Sequence, residues 1–169
     1  MKKSKYILGP LLLLTMFWAC RKTISYPPEP QIAFRDFSVF DSVGPLGNQV
    51  LVGALVFSFI DGDGDLGLQE LDSVSPGDTS NSNLFFTLYH MKEGTMVEAD
   101  EDEIKTPLNY RIPYIHMRGK DKAMKGEIQV LFFYWDFPWD TIQYSFYVVD
   151  RAGNRSNTEK TPVLILPLE

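Results

Sequence analysis

Residues 142–150 read Ile142-Gln143-Tyr144-Ser145-Phe146-Tyr147-Val148-Val149-Asp150. Ile142, Tyr144, Phe146 and Val148 fall on alternate positions with Gln143 and Ser145 between them, the two-residue period of a strand with one buried face. The run 50–60, Val50-Leu51-Val52-Gly53-Ala54-Leu55-Val56-Phe57-Ser58-Phe59-Ile60, is apolar on both faces, as a central strand is. From Gln31 onward no window keeps a 3.6-residue apolar period over three turns. Instead, short runs rich in β-branched and aromatic residues alternate with clusters of Gly, Pro, Asn and Asp. Strands are therefore expected near 31–40, 50–60, 84–91, 95–98, 108–116, 126–134, 142–150 and 161–166. Seven or eight of them in about 140 residues predict an all-β fold, an antiparallel sandwich of immunoglobulin-like topology, with a barrel as second choice.

Composition narrows the class. Of 169 residues, 44% are hydrophobic and 14% aromatic, too many for a disordered chain and enough to fill a core without disulfides or a structural metal. One cysteine excludes an internal disulfide and a thiolate zinc cluster. A net charge of −6 argues against nucleic acid as a partner, since such proteins present a basic face. No Gly-x-Ser-x-Gly elbow, phosphate loop or His-Glu-x-x-His run is present, and the two histidines stand apart, so no enzyme is expected.

The first nineteen residues read as an export signal. Lys2, Lys3 and Lys5 precede an apolar stretch, Tyr6 to Ala19, that is broken by Gly9-Pro10 and is shorter than the roughly 20 residues of a membrane span. An ordinary signal peptidase needs small residues at the first and third positions before its cut, and here Ala19 is followed back by bulky Phe17. The stretch Leu14-Thr15-Met16-Phe17-Trp18-Ala19-Cys20 resembles a lipobox, with Phe17 and Trp18 as its departures, which makes Cys20 the acylated first residue. Three acyl chains hold a mature chain on a membrane essentially permanently. Loss of the leader removes three lysines and no acids, leaving 13 basic against 22 acidic residues, a net −9. Residues 20–30 then form a tether whose Tyr26-Pro27-Pro28-Glu29-Pro30 segment favours stiff polyproline geometry, and residues 31–169 form the domain.

The chemistry lies in two turns. Asp61-Gly62-Asp63-Gly64-Asp65-Leu66-Gly67-Leu68 follows the second expected strand and carries carboxylates at alternate positions with glycines between them. A coil of that kind can aim three side chains at one centre, and calcium takes 6–8 oxygens in irregular geometry. It is not an EF-hand, because Leu66 and Asp72 stand where that loop needs Gly and Glu. The competing reading is a solvated Asp-Gly turn. A second loop, Asp150-Arg151-Ala152-Gly153-Asn154-Arg155-Ser156-Asn157, reads by itself as a hairpin turn. In an immunoglobulin-like sandwich, however, the two loops share one pole, where the first strand also begins and brings Glu29 or the tether close. The expected oxygen shell is Asp61, Asp63, Asp65, Asp150 and Asn154, holding Ca2+ as a structural cofactor that orders the loops and fixes the tether. Convergence needs three passes between the second strand and the strand that ends at Asp150, the sixth of an immunoglobulin-like sandwich, whereas four segments are counted (84–91, 95–98, 108–116 and 126–134). One of them must be an edge hairpin arm or be offset by a crossing, and residues 99–107 can span about 25–30 Å for that purpose.

The lipobox, the proline-rich tether, the acidic turn, Arg111-Ile112-Pro113-Tyr114 and the loop 150–157 together resemble small lipoproteins of Bacteroidetes. Nearly the whole chain is covered. The resemblance implies a single immunoglobulin-like domain and a lipid-anchored place in the cell envelope, and no activity. Surface-exported members often carry acidic residues just after the acylated cysteine. Here Arg21-Lys22-Thr23-Ile24 follows, which favours an outer-membrane anchor facing the periplasm over surface display.

The remaining features weigh less. Trp135 and Trp139, in Tyr134-Trp135-Asp136-Phe137-Pro138-Trp139, are either a platform for sugar rings or a cap on the core. The acidic run 98–103 and the basic stretch of Arg118, Lys120, Lys122 and Lys125 read as solvated loops, and His90 and His116 as structural. The expectation is a non-enzymatic, lipid-anchored binding or scaffold module with the membrane and a protein or glycan as partners. The alternative is a glycan- or peptide-binding accessory of an outer-membrane uptake system.

Overall fold

The computed structural model describes residues 25–44, 47–69, 81–104, 108–116 and 123–168. The leader, Cys20, and the basic residues Arg118, Lys120 and Lys122 lie outside them, and so do the expectations attached to those positions.

Among the described residues the regular elements are strands, apart from one 3-10 turn at Glu101–Glu103. In chain order they are β1 (Gln31–Val43), β2 (Gln49–Asp61), β3 (Leu84–Lys92), β4 (Thr95–Glu98), β5 (Asn109–Tyr110), β6 (Met124–Tyr134), β7 (Thr141–Val148), β8 (Glu159–Lys160) and β9 (Leu164–Ile165). They form two antiparallel sheets packed face to face, the expected all-β sandwich. One sheet has the order β1-β2-β6, and the other β4-β3-β7-β8, with β5 beside β3 and β9 beside β7.

The core follows from side-chain parity. Ile142, Tyr144, Phe146 and Val148 of β7 are all fully buried, as their alternation predicts. They meet Leu55, Phe57 and Phe59 of β2, Leu84, Phe86 and Leu88 of β3, and Val130 and Phe132 of β6. Phe132 stacks on Tyr144 at 4.5 Å and meets Phe86 edge-on at 5.1 Å, while Phe57 and Phe146 lie 5.3 Å apart. The doubly apolar run of β2 is the middle strand of its sheet. In β1 the register shifts between Phe34 and Asp36, so Phe34 and Phe37, three apart, both pack against the core.

The strand expected over 108–116 is a correction. Only Asn109–Tyr110 pairs as a strand, with Leu84 and Phe85. Beyond it the chain leaves the sheet, and Pro113 bridges Leu68 while Ile112 O accepts from Leu68 N at 2.9 Å. Pro113 has no N–H with which to continue a ladder. The region 161–166 likewise pairs only through the short β8 and β9 that flank it and lie within it. These differences resolve the parity. Strand β4 is the hairpin arm on the edge of β3, and after it the chain rises to β5 beside the start of β3, so β4 and β5 together make one pass.

The end of β2, the start of β3, the start of β6 and the end of β7 therefore gather at one pole, where Asp61 pairs with Met124 and Leu84 with Val148. Asn83, buried there just before β3, ties its own segment to the end of β7 and to residues 110–112. Its N–H donates to Tyr110 O (3.0 Å), its carbonyl accepts from Val149 N (2.9 Å) and its Oδ1 from Ile112 N (2.7 Å). Asn157 joins the two sheets at the β1 edge, accepting from Ile32 N and donating to Ile32 O, both at 2.9 Å.

Tyr134 and Tyr144 share a buried hydrogen bond of 3.2 Å between their hydroxyls. Burial pushes the Tyr110 hydroxyl up to about 12 and raises those of Tyr134 and Tyr144 as well. In an unfolded chain tyrosine ionises near pH 10, so there the unfolded state sheds protons that the folded state keeps, and stability falls as pH rises past about 10. Alkaline titration is expected to show these tyrosines ionising together with loss of the sheet signal in circular dichroism. Ionisation of every tyrosine near pH 10 with that signal intact contradicts this reading of the core.

Candidate metal centre

The acidic turn is built by what holds its two ends. Asp61 is the last residue of β2 and is fully buried; its Oδ2 accepts from Leu66 N at 2.6 Å and its Oδ1 from Gly64 N at 3.3 Å. Leu66 is itself buried in the core and plugs the coil from below. The chain leaves through Gly67, whose φ of +102° and whose approach to Pro113 O (2.5 Å from where a Cβ would sit) leave no place for a side chain. The turn is thus held at both ends, with Asp61 buried, Asp65 half-buried and Asp63 exposed.

One oxygen from each of these three carboxylates lies within 4.8 Å of the others. Two oxygens bound to the same calcium at 2.3–2.6 Å stand no more than about 5.2 Å apart, so the three oxygens lie within reach of one hard cation. Asp65 Oδ2 accepts from Ala152 N at 3.0 Å, whereas its Oδ1 is shut away from solvent with no hydrogen-bond partner. A carboxylate oxygen left that way is costly unless something positive meets it. Burial is the main cause that holds the carboxyls of both Asp61 and Asp65 above the usual carboxylate range. For Asp61 the neighbouring Asp63 adds to it against the two backbone donors, and for Asp65 the charges of Asp150 and Asp63 add to it against the Ala152 N–H and the positive charge of Arg151. As a donor set these groups suit calcium or another hard, oxygen-seeking ion.

The second loop does arrive. Arg151 N reaches Asp65 O at 3.4 Å, and Arg151 Nη1 donates to Gly67 O at 2.8 Å while its guanidinium lies over the Tyr114 ring at 4.7 Å. The two turns expected at one pole are in hydrogen-bond contact there. Of the expected five-residue shell, Asp61, Asp63 and Asp65 come together, while Asp150 and Asn154 pair with each other. Asp150 is buried and close enough for its charge to bear on Asp65, but both its oxygens are engaged by Asn154, from the backbone N at 2.7 Å and from Nδ2 at 2.9 Å. Asn154 therefore directs its amide at Asp150 and closes its own turn, and Asp150 lies outside the cluster of three.

The proline-rich segment before β1 reaches the same place. Pro27 O accepts from Gly62 N at 3.1 Å, and the ring of Tyr26 lies 3.9 Å below the Lys125 ammonium, whose Nζ also bonds the Tyr26 hydroxyl. Glu29 is exposed. Gly62, Arg151, Tyr26 and Asn83 are the residues that reading the sequence left out. In the sequence Gly62 reads only as a turn residue and Arg151 only as part of a hairpin, and neither declares a partner more than thirty positions away.

The tryptophans separate. Trp139 is half-buried and packs on the core, stacked on His90 at 4.4 Å and edge-on to Phe137 at 5.4 Å, the packing of a cap. Trp135 is 39% exposed and lies alongside Phe133 with the rings at 14°. His116 packs edge-on against Tyr114.

No protein-family model, curated protein or solved structure matches the chain.

Because burial, Asp63 and Asp150 all disfavour a charge on Asp65, Asp65→Asn is expected to raise the melting temperature in chelator by about 2–4 °C. A fall in chelator means that the carboxylate is satisfied without a cation.

Proposed function

We propose that the chain is a lipid-anchored envelope protein whose sandwich is an immunoglobulin-like, non-enzymatic binding or scaffold module stiffened at one pole by calcium. The observation that carries the proposal is the Asp65 carboxylate, which has one oxygen buried without a donor and lies within a cluster that includes the fully buried Asp61. The strand order supports the immunoglobulin-like reading: the first, second and sixth strands make one sheet, and the third and seventh are adjacent in the other. The basic start, the apolar stretch and Cys20 support the lipid anchor, and Arg21-Lys22 after Cys20 favours the periplasmic side of the outer membrane. The ion would supply positive charge that offsets carboxylate repulsion, and this chain's residues hold the turns so that the offset becomes rigidity.

Calcium at 100 times its Kd adds about 2.7 kcal/mol to stability, a rise of about 5–10 °C for a chain of this size. Differential scanning calorimetry is expected to show that rise in the wild type and most of it lost in Asp63→Asn. Identical melting curves in chelator and in excess calcium overturn the proposal.

The uptake-accessory reading draws on one observation. Trp135 and Phe133 present nearly parallel rings on the outer face of the first sheet, beside half-exposed Phe40. Under that reading Trp135→Ala loses binding on a glycan array, whereas Trp139→Ala lowers stability and leaves binding intact. An array without bound glycans removes the glycan form of this reading.

A further inference from the structure

The outer face of the second sheet carries three rows of side chains, because residues directly opposite in a ladder point to the same face. Asn109, Phe85 and Tyr147 make the first row, Thr87, Ser145 and Lys160 the second, and Glu98, Tyr89 and Gln143 the third. In the first row the Phe85 and Tyr147 rings stack at 5.2 Å, and the Arg155 guanidinium lies 3.6 Å from the Tyr147 ring centre. The Lys160 ammonium reaches over the Tyr89 ring of the third row at 5.3 Å. Alternate residues of a strand are about 6.5 Å apart, so the two aromatic rows stand about 13 Å from each other with Thr87 and Ser145 as a low floor between them. The floor opens at one end into a notch. Strand β4 pairs with Tyr89–Lys92 and β5 with Leu84 and Phe85, so neither covers Thr87. A cavity of about 390 Å³ occupies that gap, walled in part by Thr87, Glu98, Ile104 and Asn109.

We propose that this trough binds an anionic saccharide, one end of it in the notch and its acidic groups at Arg155 and Lys160. The site shares no residue with the acidic turn or with the Trp135 face and depends on neither reading. Charge selects the acid. The chain has 22 acidic against 16 basic residues, yet among the described residues neither cation of this face has a carboxylate partner. Arg155 is held by Tyr147 and by a hydrogen bond to Thr158 Oγ1 at 3.2 Å, and Lys160 by Tyr89, contacts that place each charge without neutralising it. The polar groups select the sugar. The Thr87 hydroxyl, the Asn109 amide and the Glu98 carboxylate offer donors and acceptors to a polyhydroxyl ligand, and the half-buried rings of Phe85 and Tyr89 offer apolar surface to its C–H faces. Glu98 lies on the β4 side and Lys160 on the β8 side, so the charges also fix which way an anionic chain lies. An acidic peptide suits the face less, because the main-chain partners that a strand seeks are on a sheet's edge.

The experiment probes an array of neutral, uronate-bearing and sulfated saccharides, with polyglutamate alongside, using the wild type, Arg155→Gln, Lys160→Gln, Tyr89→Ala and Trp135→Ala. Affinity for each retained saccharide is then measured by isothermal titration calorimetry at low and high salt. Arg155 and Lys160 are exposed, so their variants keep the fold, which a melting curve checks. The expected result is that the wild type retains uronate-bearing or sulfated saccharides over their neutral counterparts and holds them less tightly as salt rises. Arg155→Gln and Lys160→Gln each weaken them about tenfold or more, Tyr89→Ala weakens them in the same direction, and Trp135→Ala leaves binding intact. A wild type that retains no acidic saccharide overturns the proposal. Retention of polyglutamate alone overturns the saccharide assignment in favour of an acidic polypeptide. Binding lost in Trp135→Ala and unchanged in both cation variants overturns the location and assigns the glycan to the first sheet.

Discussion

Two turns that are nearly ninety residues apart in the chain touch through the Asp65 carboxylate and the Ala152 N–H, and through the Arg151 guanidinium and Gly67 O. The geometry of this pole depends on that contact. It is possible only because β2 and β7 end on the same side of the sandwich, and it sets a carboxylate that already faces two others against a third negative charge, that of Asp150. A pole arranged in this way has a built-in electrostatic conflict. The surrounding packing, with Leu66 plugged into the core and Asn83 tying three segments, keeps the conflict from being relieved by simple splaying of the turn. Under the proposal above a divalent ion relieves it instead, and the fold supplies the rigidity that makes the relief local.

What the sequence made legible follows its periodicities. Alternation in 142–148 placed four core residues correctly because a strand with one buried face has no other way to distribute Ile142, Tyr144, Phe146 and Val148. The doubly apolar 50–60 read as a central strand for the same reason. The bulge at Arg35, which turns both Phe34 and Phe37 inward, breaks the two-residue period and so was invisible to a period-based reading. Residues 111–116 look like a strand by composition, yet their partner is Leu68 in a loop, and Pro113 lacks the donor a ladder needs.

The candidate site was legible in its charges and opaque in its supports. Asp61, Asp63 and Asp65 stand out as a pattern, and topology alone predicted that the loop after Asp150 would meet them. The division of labour within that loop was not readable. Asp150 and Asn154 have the right chemistry for ligands but satisfy each other at short range, as Asx turns do. The contributing groups are instead a backbone amide at Ala152 and an arginine whose acceptor is a carbonyl, neither of which carries a signature in composition. Gly62 is the clearest case. Its missing side chain matters because of Pro27, a contact between the tether and the turn that no local rule anticipates.

The most direct test of the central claim is a crystal structure grown in calcium, with anomalous scattering used to locate the ion. The account predicts one calcium with oxygens of Asp61, Asp63 and Asp65 at 2.3–2.6 Å and the turn still in contact with Ala152. Carboxylates splayed into solvent with no bound ion, or the two turns at opposite ends of the sandwich, would contradict it.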